Sequence, residues 1–236
     1  MNIEQIKELK SLEDIQLRIL IYGESGTGKT RAAATFPDPY FFDFDGGMLS
    51  VRKALIDGTI DGKTYGREDW RTFRKDWDGV IKEPKHKTYV FDSLTTIAEA
   101  IGHHLQKVKG NVSETLTLQQ YGLIYNRLSQ LMYEVIALPT NVIVLAHVQE
   151  SADEATGVVK ELPLVSGKKF PDRLPIWFDE VFKQEVTKNK EGHFEPFWAV
   201  KHSRRSKAKS RLGIQADVIN PPTYQAYIKE LEASHE

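Results

Sequence analysis

The 236-residue sequence contains no cysteine. Disulfide scaffolds and zinc sites built on thiolates are therefore excluded, and the composition fits a reducing compartment. No apolar run approaches the roughly 20 residues that a membrane-spanning helix requires. The N-terminal stretch is charged throughout, unlike the apolar core of a secretory signal peptide. We therefore expect a cytoplasmic protein with no membrane partner.

Neither sign of charge dominates the chain. The 32 Lys and Arg residues nearly balance the 33 Asp and Glu residues, which gives a formal net charge of -1. The asymmetry is local, because residues 201–211 carry six cations and no acid. Hydrophobic residues make up 40% of the chain, enough for the core of one large α/β domain.

The most specific motif is Gly-Glu-Ser-Gly-Thr-Gly-Lys-Thr at residues 23–30, which matches G-x-x-x-x-G-K-[ST] without a mismatch. An apolar run precedes it at 19–22 and a helix-forming run follows at 31–34. This strand, glycine-rich loop and helix predict a phosphate-binding loop for ATP, with Lys29 at the β- and γ-phosphates and the Thr30 hydroxyl on Mg²⁺. The predicted nucleotide-binding residues are Gly23, Glu24, Ser25, Gly26, Thr27, Gly28, Lys29, Thr30 and Arg31.

Hydrophobic periodicity and turn residues predict an α/β fold. Strands are predicted at 17–22, 40–45, 87–92 and 141–146. Helices are predicted at 3–12, 48–56, 67–81, 93–107, 119–138 and 223–233, with Trp70 and Trp77 as core anchors. The pattern indicates a mainly parallel sheet flanked by helices, followed by an antiparallel hairpin from 177–188 and 193–201.

The remaining stretches are predicted to be irregular. Residues 57–66 are rich in turn formers, and 108–118 and 148–169 resemble loops. No repeat or convincing domain boundary interrupts the chain. We therefore expect an N-terminal helix within 1–14, one core over 15–215 and a C-terminal helix within 216–236.

Acids end two of the predicted strands, and ligands bind parallel sheets at the carboxyl ends of their strands. Asp92 ends an apolar strand 63 residues after Lys29, as a Walker B acid would, and would orient the Mg²⁺ shell through water. The helix that follows Asp92 also makes it a candidate N-cap. Asp43 and Asp45 end the second strand, two residues apart, and we expect only one of them to face the nucleotide. We expect Asp45 to be the catalytic acid that orients water; the alternative is a pair of turn-forming residues.

Polar residues also follow the fourth strand. His147 and Gln149 could contact the γ-phosphate and report its loss to the following loop, or could be ordinary surface residues. The basic run at 201–211 could contact nucleic-acid phosphate, reach a neighbouring subunit's γ-phosphate, or simply be solvated. Its candidate trans-acting cations are Arg204, Lys207, Lys209 and Arg211.

The order of these motifs resembles the RecA-type P-loop ATPases, and in particular the small phage-encoded recombination and single-strand annealing ATPases with a minimal RecA core. The resemblance spans roughly 15–215. Residues 41–45 look like the family's strand with its catalytic glutamate, which corresponds here to Asp45. Residues 90–93 look like its Walker B strand. His147 and Gln149 stand where the family has its Asn-Gln sensor.

Further roles come only from that resemblance. Residues 167–170 resemble the segment that closes the second DNA-binding loop, which makes Lys168 and Lys169 candidate DNA contacts. The cations from Lys201 onward lie where the family places a trans-acting Lys or Arg. The implied partners are single-stranded DNA, further copies of the chain in a ring or filament, and a single-stranded-DNA-binding protein. If the chain is phage-encoded, its compartment is the bacterial host's cytoplasm.

The sequence thus predicts an ATPase that uses ATP and Mg²⁺ and acts on single-stranded DNA in recombination or annealing, with stimulation by that DNA. One alternative is a P-loop module that uses ATP as a switch for a protein partner, such as a replisome component. Another is a small-molecule kinase, although no Arg-rich lid lies between the predicted strands. ATPase activity with and without single-stranded DNA separates the three.

Overall fold

A computed structural model describes residues 15–108, 110, 115–152, 157–167 and 169–235. The helix predicted at 3–12 and the candidate DNA contact Lys168 lie outside these residues. So does most of the centre of the predicted loop at 108–118.

Strands occupy much of the chain. They are β1 (Arg18–Tyr22), β2 (Pro39–Asp43), β3 (Asp61–Thr64), β4 (Thr88–Asp92), β5 (Asn141–Ala146), β6 (Val148–Ala152), β7 (Val159–Pro163), β8 (Glu180–Lys188), β9 (Phe194–Ala199), β10 (Lys209–Ser210) and β11 (Val218–Ile219). Helices alternate with the early strands. They are α1 (Lys29–Ala33), α2 (Arg52–Ile56), α3 (Trp70–Lys82), α4 (Leu94–Val108), α5 (Leu118–Ala137), α6 (Phe170–Arg173) and α7 (Tyr224–Ala233), with 3₁₀ turns at Gly47–Val51 and Leu174–Trp177.

Six strands form the parallel part of the central sheet, in the order β8-β1-β5-β4-β2-β3. β9 and β10 pair antiparallel with β8, and β11 pairs antiparallel with β9. β6 and β7 form a separate antiparallel ribbon. The predicted fold, a mainly parallel sheet flanked by helices with a C-terminal antiparallel hairpin, is confirmed.

Both faces of the parallel sheet are covered, which is why its central strands are almost wholly apolar. Alternate residues of β1 point to opposite faces: Leu20 and Tyr22 join a cluster with α3, α4 and α5, while Ile19 and Ile21 join one with α1 and α7. Trp70 and Trp77 are buried in the first cluster, so their predicted role as core anchors is confirmed.

Helix boundaries follow local chemistry. The α5 helix begins after Thr117, whose hydroxyl accepts from the Gln120 N–H while the Gln120 side chain accepts from the Thr117 N–H. It ends just before Pro139, within a residue of the predicted end. The C-terminal helix begins after Thr223, whose hydroxyl accepts from the Ala226 N–H at 3.3 Å, and its Tyr227 and Leu231 are buried against the sheet.

Two predicted details are wrong, and one predicted strand has a further pairing. The turn-rich segment 57–66 contains the edge strand β3, which pairs with β2. The segment 148–169, predicted to be irregular, contains the β6–β7 ribbon. The first strand of the predicted hairpin, β8, also lies parallel to β1 and so extends the parallel sheet beyond four strands. Among the described residues, no helix is long and apolar enough to cross a membrane.

Candidate nucleotide site

The loop between β1 and α1 has the curled backbone that a phosphate-binding loop requires. Gly26 and Gly28 adopt positive φ values of 81° and 91°, where any larger residue would be strained. A Cβ on Gly23 would lie 2.3 Å from the main-chain oxygen of Gln184. Three glycines of the motif are therefore required by backbone conformation or by close packing.

The Lys29 side chain folds back over this loop. Its Nζ donates to the main-chain oxygens of Gly23 at 3.0 Å and Glu24 at 2.8 Å. Burial lowers the pKa of Lys29, and the nearby Asp92 and Asp45 carboxylates oppose that shift. The ammonium group is thus held by the loop at the wall of the cavity described below, beside both strand-end acids.

Thr30 and Asp92 are in direct contact. The Thr30 hydroxyl donates to Asp92 Oδ2 at 2.7 Å. Burial raises the pKa of Asp92 to about 7; the Thr30 hydrogen bond lowers it, and the charges of Asp45 and Asp43 raise it further. The two side chains supply hard oxygen donors, which fit Mg²⁺. The described part of the chain has no cluster of three or more His, Asp or Glu arranged to hold a metal, so phosphate and water oxygens would complete the shell.

Asp45 is held by three donors. Its Oδ1 accepts from Ser93 Oγ at 3.0 Å and from Thr96 Oγ1 at 2.5 Å, and its Oδ2 lies 2.8 Å from His147 Nε2. Burial alone would raise the pKa of Asp45, yet the hydrogen bonds from His147, Thr96 and Ser93 lower it overall. The carboxylate is therefore kept ionised at neutral pH, as a water-orienting acid must be.

Asp43 points the other way. Its carboxylate accepts from the Gly47 N–H at 3.0 Å, more weakly from the Met48 N–H at 3.4 Å, and from the Thr64 hydroxyl at 3.2 Å. These contacts tie β2 to β3 and to the 3₁₀ turn that follows. The two acids separate because β2 ends at Asp43 and the chain bends after it, which places Asp45 on the cavity and Asp43 in the turn.

The cavity at the carboxyl ends of the strands measures about 400 Å³. It brings together residues from the phosphate loop, α1, both strand ends and the segment after β5. Its lining is Ser25, Gly26, Gly28, Lys29, Thr30, Arg31, Asp45, Gly47, Ser50, Asp92 and His147. All three predicted catalytic residues are among them.

The two predicted sensor residues, His147 and Gln149, lie at different places in the structure. His147 lines the cavity, and its main chain is fixed by the Thr95 hydroxyl, which accepts from the His147 N–H at 3.0 Å. Gln149 instead donates through Nε2 to the Pro163 oxygen at 3.3 Å, within the β6–β7 ribbon. The structure therefore places His147 at the site and Gln149 at the base of the ribbon.

The predicted trans-acting cations also differ in their surroundings: some are paired with acids, one is half-buried and one is exposed. Lys207 forms an ion pair with Asp172, and Arg211 pairs with Asp179 at 3.2 Å. Lys209 is half-buried in β10, and burial lowers its pKa. Arg204 is exposed, and its neighbour Arg205, which the sequence did not single out, is exposed beside it.

A tight turn presents these two arginines. Ser203 Oγ accepts from the N–H groups of Arg205 and Ser206. The Arg205 oxygen accepts from the Glu161 N–H of β7 at 2.7 Å, and the Lys207 N–H donates to the Tyr22 hydroxyl at 3.0 Å. Because Tyr22 ends β1 directly before the phosphate loop, the arginine turn stands at the carboxyl edge of the sheet. Lys169, a candidate DNA contact, is exposed just before α6.

Sequence patterns did not reveal several residues that shape the site. Ser93 and Thr96 contact Asp45, and Gln184 lies against the phosphate loop. Ser93 directly follows a Walker B acid, and Thr96 lies in the first turn of the next helix. This spacing could have predicted that both residues lie near the site. Gln184 had none, because only the pairing of β8 with β1 brings it to the loop.

The chain is similar to a protein-family model and to solved structures. A family model described as an AAA domain matches residues 15–212. No curated protein sequence matches the chain. Among solved structures, a prototypical ATPase from the type III secretion system of pathogenic bacteria shares 13% identity over 72% of this chain, with a TM-score of 0.47. The match spans 52% of that structure's chain, or about half of it.

Proposed function

Because this chain belongs to the AAA domain family, it is an ATP-binding domain, and we propose that it hydrolyses ATP while acting on single-stranded DNA as a homo-oligomer. The proposed setting is recombination or annealing, in the manner of the small phage ATPases that its motifs resemble. The observation that supports hydrolysis is the convergence of Lys29, Thr30, Asp45, Asp92 and His147 on one cavity.

The site's residues divide the chemistry of phosphoryl transfer to water. Lys29 would contact the β- and γ-phosphates, and the glycine-rich backbone would donate N–H groups to them. Thr30 and Asp92 would hold Mg²⁺, which neutralises charge on the phosphate oxygens. Asp45, ionised and facing the cavity, would orient the attacking water and accept its proton. His147, in contact with Asp45, is placed to respond when the γ-phosphate leaves.

The exposed arginine turn supports the nucleic-acid part of the proposal. Arg204 and Arg205 carry two positive charges on a turn fixed to β7 and β1, at the same edge of the sheet as the nucleotide cavity. Exposed arginines suit phosphate, which they bind bidentately. The acids that neutralise Lys207 and Arg211 leave this turn as the most available part of the basic run.

One observation favours a second function, an ATP-dependent switch for a protein partner. The Asp45 carboxylate already accepts from Ser93, Thr96 and His147, which leaves few lone pairs for water. A site that kept this arrangement with ATP bound would bind nucleotide and hydrolyse it poorly. Such a protein would change conformation on ATP binding without DNA-dependent turnover.

The deciding experiment measures ATP hydrolysis with and without oligo-dT, at several salt concentrations. The proposal expects stimulation by oligo-dT and weaker binding as salt rises, because phosphate contacts release counterions. Replacing Arg204 and Arg205 together by Ala should reduce the slope of log affinity against log salt by about 1.4, since each contact contributes about 0.7. The paired change Lys207→Ala with Arg211→Ala is the matched control.

One outcome would contradict the proposal, and another would not. The switch function would be favoured if the rate of hydrolysis were the same with and without DNA and if no DNA binding were seen in any nucleotide state. Loss of hydrolysis in Lys29→Ala with DNA binding intact would still be consistent with it, because that change removes only the nucleotide contact.

A further inference from the structure

Gln184 is a buried polar residue on β8 that the proposed chemistry does not use. Its side chain is 1% exposed. The amide Nε2 donates to the main-chain oxygen of Thr27 at 2.6 Å, and Oε1 accepts from the indole Nε1 of Trp198 at 2.9 Å. A single side chain thus joins the phosphate loop to a tryptophan on the antiparallel edge of the sheet.

The orientation of this amide is fixed by chemistry. An indole N–H can only donate, so the amide oxygen of Gln184 must face Trp198. The amide nitrogen then faces the phosphate loop, where the Thr27 carbonyl can only accept. Both ends of the side chain therefore have the one partner type that they need, and reversing the amide would break both hydrogen bonds.

The phosphate loop packs against Gln184 at two more points. A Cβ on Gly23 would lie 2.3 Å from the Gln184 main-chain oxygen, and a Cβ on Gly28 would lie 3.4 Å from Nε2. The first and last glycines of the motif therefore both rest on this one residue. β8 carries it there because Tyr22, the residue before the loop, pairs with Lys183.

The hydrogen bond to Thr27 has a consequence for phosphate binding. In a trans peptide the C=O and the following N–H point in opposite directions. When Gln184 holds the Thr27 oxygen on the β8 side, the N–H of Gly28 is turned toward the cavity, which Gly28 lines. That N–H is one of the donors that a phosphate-binding loop offers to its ligand.

We propose that Gln184 is a positioning residue for ATP binding, which holds the Thr27–Gly28 peptide so that its N–H faces phosphate, and that Trp198 fixes the orientation of the Gln184 amide. The inference rests on the ATP-binding role of this cavity. It also makes Trp198 a built-in reporter, because a change at the loop reaches the indole N–H through one amide.

The test compares Gln184→Leu, Gln184→Glu and Trp198→Phe with the exposed control Gln215→Leu, by ATP titration and steady-state hydrolysis. We expect the Kd for ATP to rise about 10-fold in Gln184→Leu, as for a lost buried hydrogen bond, and at least as much in Gln184→Glu, whose carboxylate repels the Thr27 oxygen. The kcat at saturating ATP should stay within about threefold of wild type, because Lys29, Asp45 and Asp92 are untouched.

Trp198→Phe keeps an aromatic ring stacked on Phe182, which lies 5.0 Å from the indole in the structure, and removes only the N–H donor. We expect a rise of about threefold in Kd, because the amide is then free to turn. Wild-type tryptophan emission should change when ATP is added, and this change should vanish in Trp198→Phe. This variant also carries the test if Gln184→Leu fails to fold.

The possible failures are distinguishable. Wild-type ATP affinity in a folded Gln184→Leu, or in Trp198→Phe if that variant alone folds, would overturn the role of Gln184 while Lys29→Ala still loses binding. Equal binding in wild type and Lys29→Ala would overturn the nucleotide site itself, and this inference with it. An equal fall of kcat and rise of Kd in Gln184→Leu would also overturn it, because positioning of the loop alone predicts a change in binding.

Discussion

Asp45 and His147 meet across 102 residues of sequence, with 2.8 Å between Asp45 Oδ2 and His147 Nε2. They come from the ends of β2 and β5, which are separated in the sheet by β4. The contact joins the proposed water-orienting acid to the residue from which the β6–β7 ribbon begins. In the proposed mechanism, a change at the γ-phosphate would pass to the ribbon through this side-chain pair.

Asp45→Asn should keep ATP binding and lose hydrolysis by about 10²-fold or more, the range for removing a general base. The amide keeps the shape of the carboxylate and removes the charge that orients water. Measurement of kcat and of ATP affinity for the same preparation checks both halves of the prediction.

Asp43→Asn is the matched control, two residues away at the end of β2. Asp43 accepts from Gly47, Met48 and Thr64 and does not line the cavity, so its loss should cost about 1–3 kcal/mol of folding stability with kcat near that of wild type. If Asp43→Asn abolished hydrolysis while Asp45→Asn did not, the assignment of the two acids would be reversed.

His147→Ala should shift the pH dependence of hydrolysis. Burial raises the pKa of Asp45, and the His147 contact is the largest influence that lowers it. Removing His147 therefore raises the Asp45 pKa, so activity, which needs the ionised carboxylate, is lost at a higher pH as the solution is acidified. A pH–rate profile at saturating ATP measures this acidic limb, the pH range over which activity falls as the solution is acidified.

His147→Gln provides the comparison, because its amide can still donate to Asp45 and should shift the limb less. An acidic limb at the same pH in all three proteins would show that His147 does not control Asp45.

Much of this site could be predicted from sequence because parallel strands bring their carboxyl ends to one edge. Lys29, Asp45, Asp92 and His147 all follow apolar strands, and the structure places each of them on the cavity. These inferences needed only local pattern and the geometry of a parallel sheet.

The misplaced elements depend on tertiary pairing. The sequence Asp-Gly-Lys-Thr at 61–64 has no apolar alternation and forms β3 because β2 offers a free edge. The β6–β7 ribbon carries two glutamates and a lysine, and Glu161 of β7 forms an ion pair with Lys183 of β8. Likewise, nothing in the sequence shows which cations of 201–211 meet Asp172 and Asp179 from other segments.

Glu180 should make the folded protein less stable as pH rises. The residue is fully buried; Oε1 accepts from Ser210 and Leu212, while Oε2 is without a hydrogen-bond partner in the described chain. Burial raises its pKa from 4.5 to about 7. The folded state therefore binds a proton more tightly than the unfolded state, and the stability from that proton is present below about pH 4.5 and lost as pH rises through about 7.

Glu180→Gln should remove this dependence, because the amide is neutral and its oxygen can keep both contacts of Oε1. A shift of this size corresponds to about 3 kcal/mol, at about 1.4 kcal/mol for each pH unit. Urea unfolding should be measured at pH 5 and pH 8. The free energy of unfolding of Glu180→Gln, relative to that of wild type, should be higher at pH 8 than at pH 5. The exposed Glu191→Gln serves as the control. Parallel curves for wild type and Glu180→Gln would contradict the prediction.

The arginine turn should act across a subunit boundary if the chain works as a ring or filament. Arg204 and Arg205 project from the carboxyl edge of the sheet without side-chain partners among the described residues, whereas Lys207 and Arg211 are neutralised within the chain. A cation supplied by a neighbour to a γ-phosphate contributes about 10³–10⁵ in rate in related phosphoryl-transfer systems. ATPase activity per subunit should therefore rise with protein concentration.

Mixing two inactive variants tests the geometry directly. Lys29→Ala lacks the phosphate contact and keeps both arginines, while the double change of Arg204 and Arg205 to Ala keeps a complete nucleotide cavity. In a mixed assembly, an intact cavity of the second variant can lie beside an intact arginine turn of the first, so activity should recover to a fraction set by the mixing ratio. The double change Lys207→Ala with Arg211→Ala should retain activity by itself, since its cations face acids of their own chain. If activity did not recover at any mixing ratio and did not depend on protein concentration, the prediction would be wrong. The arginine turn would then act only within its own subunit or on DNA.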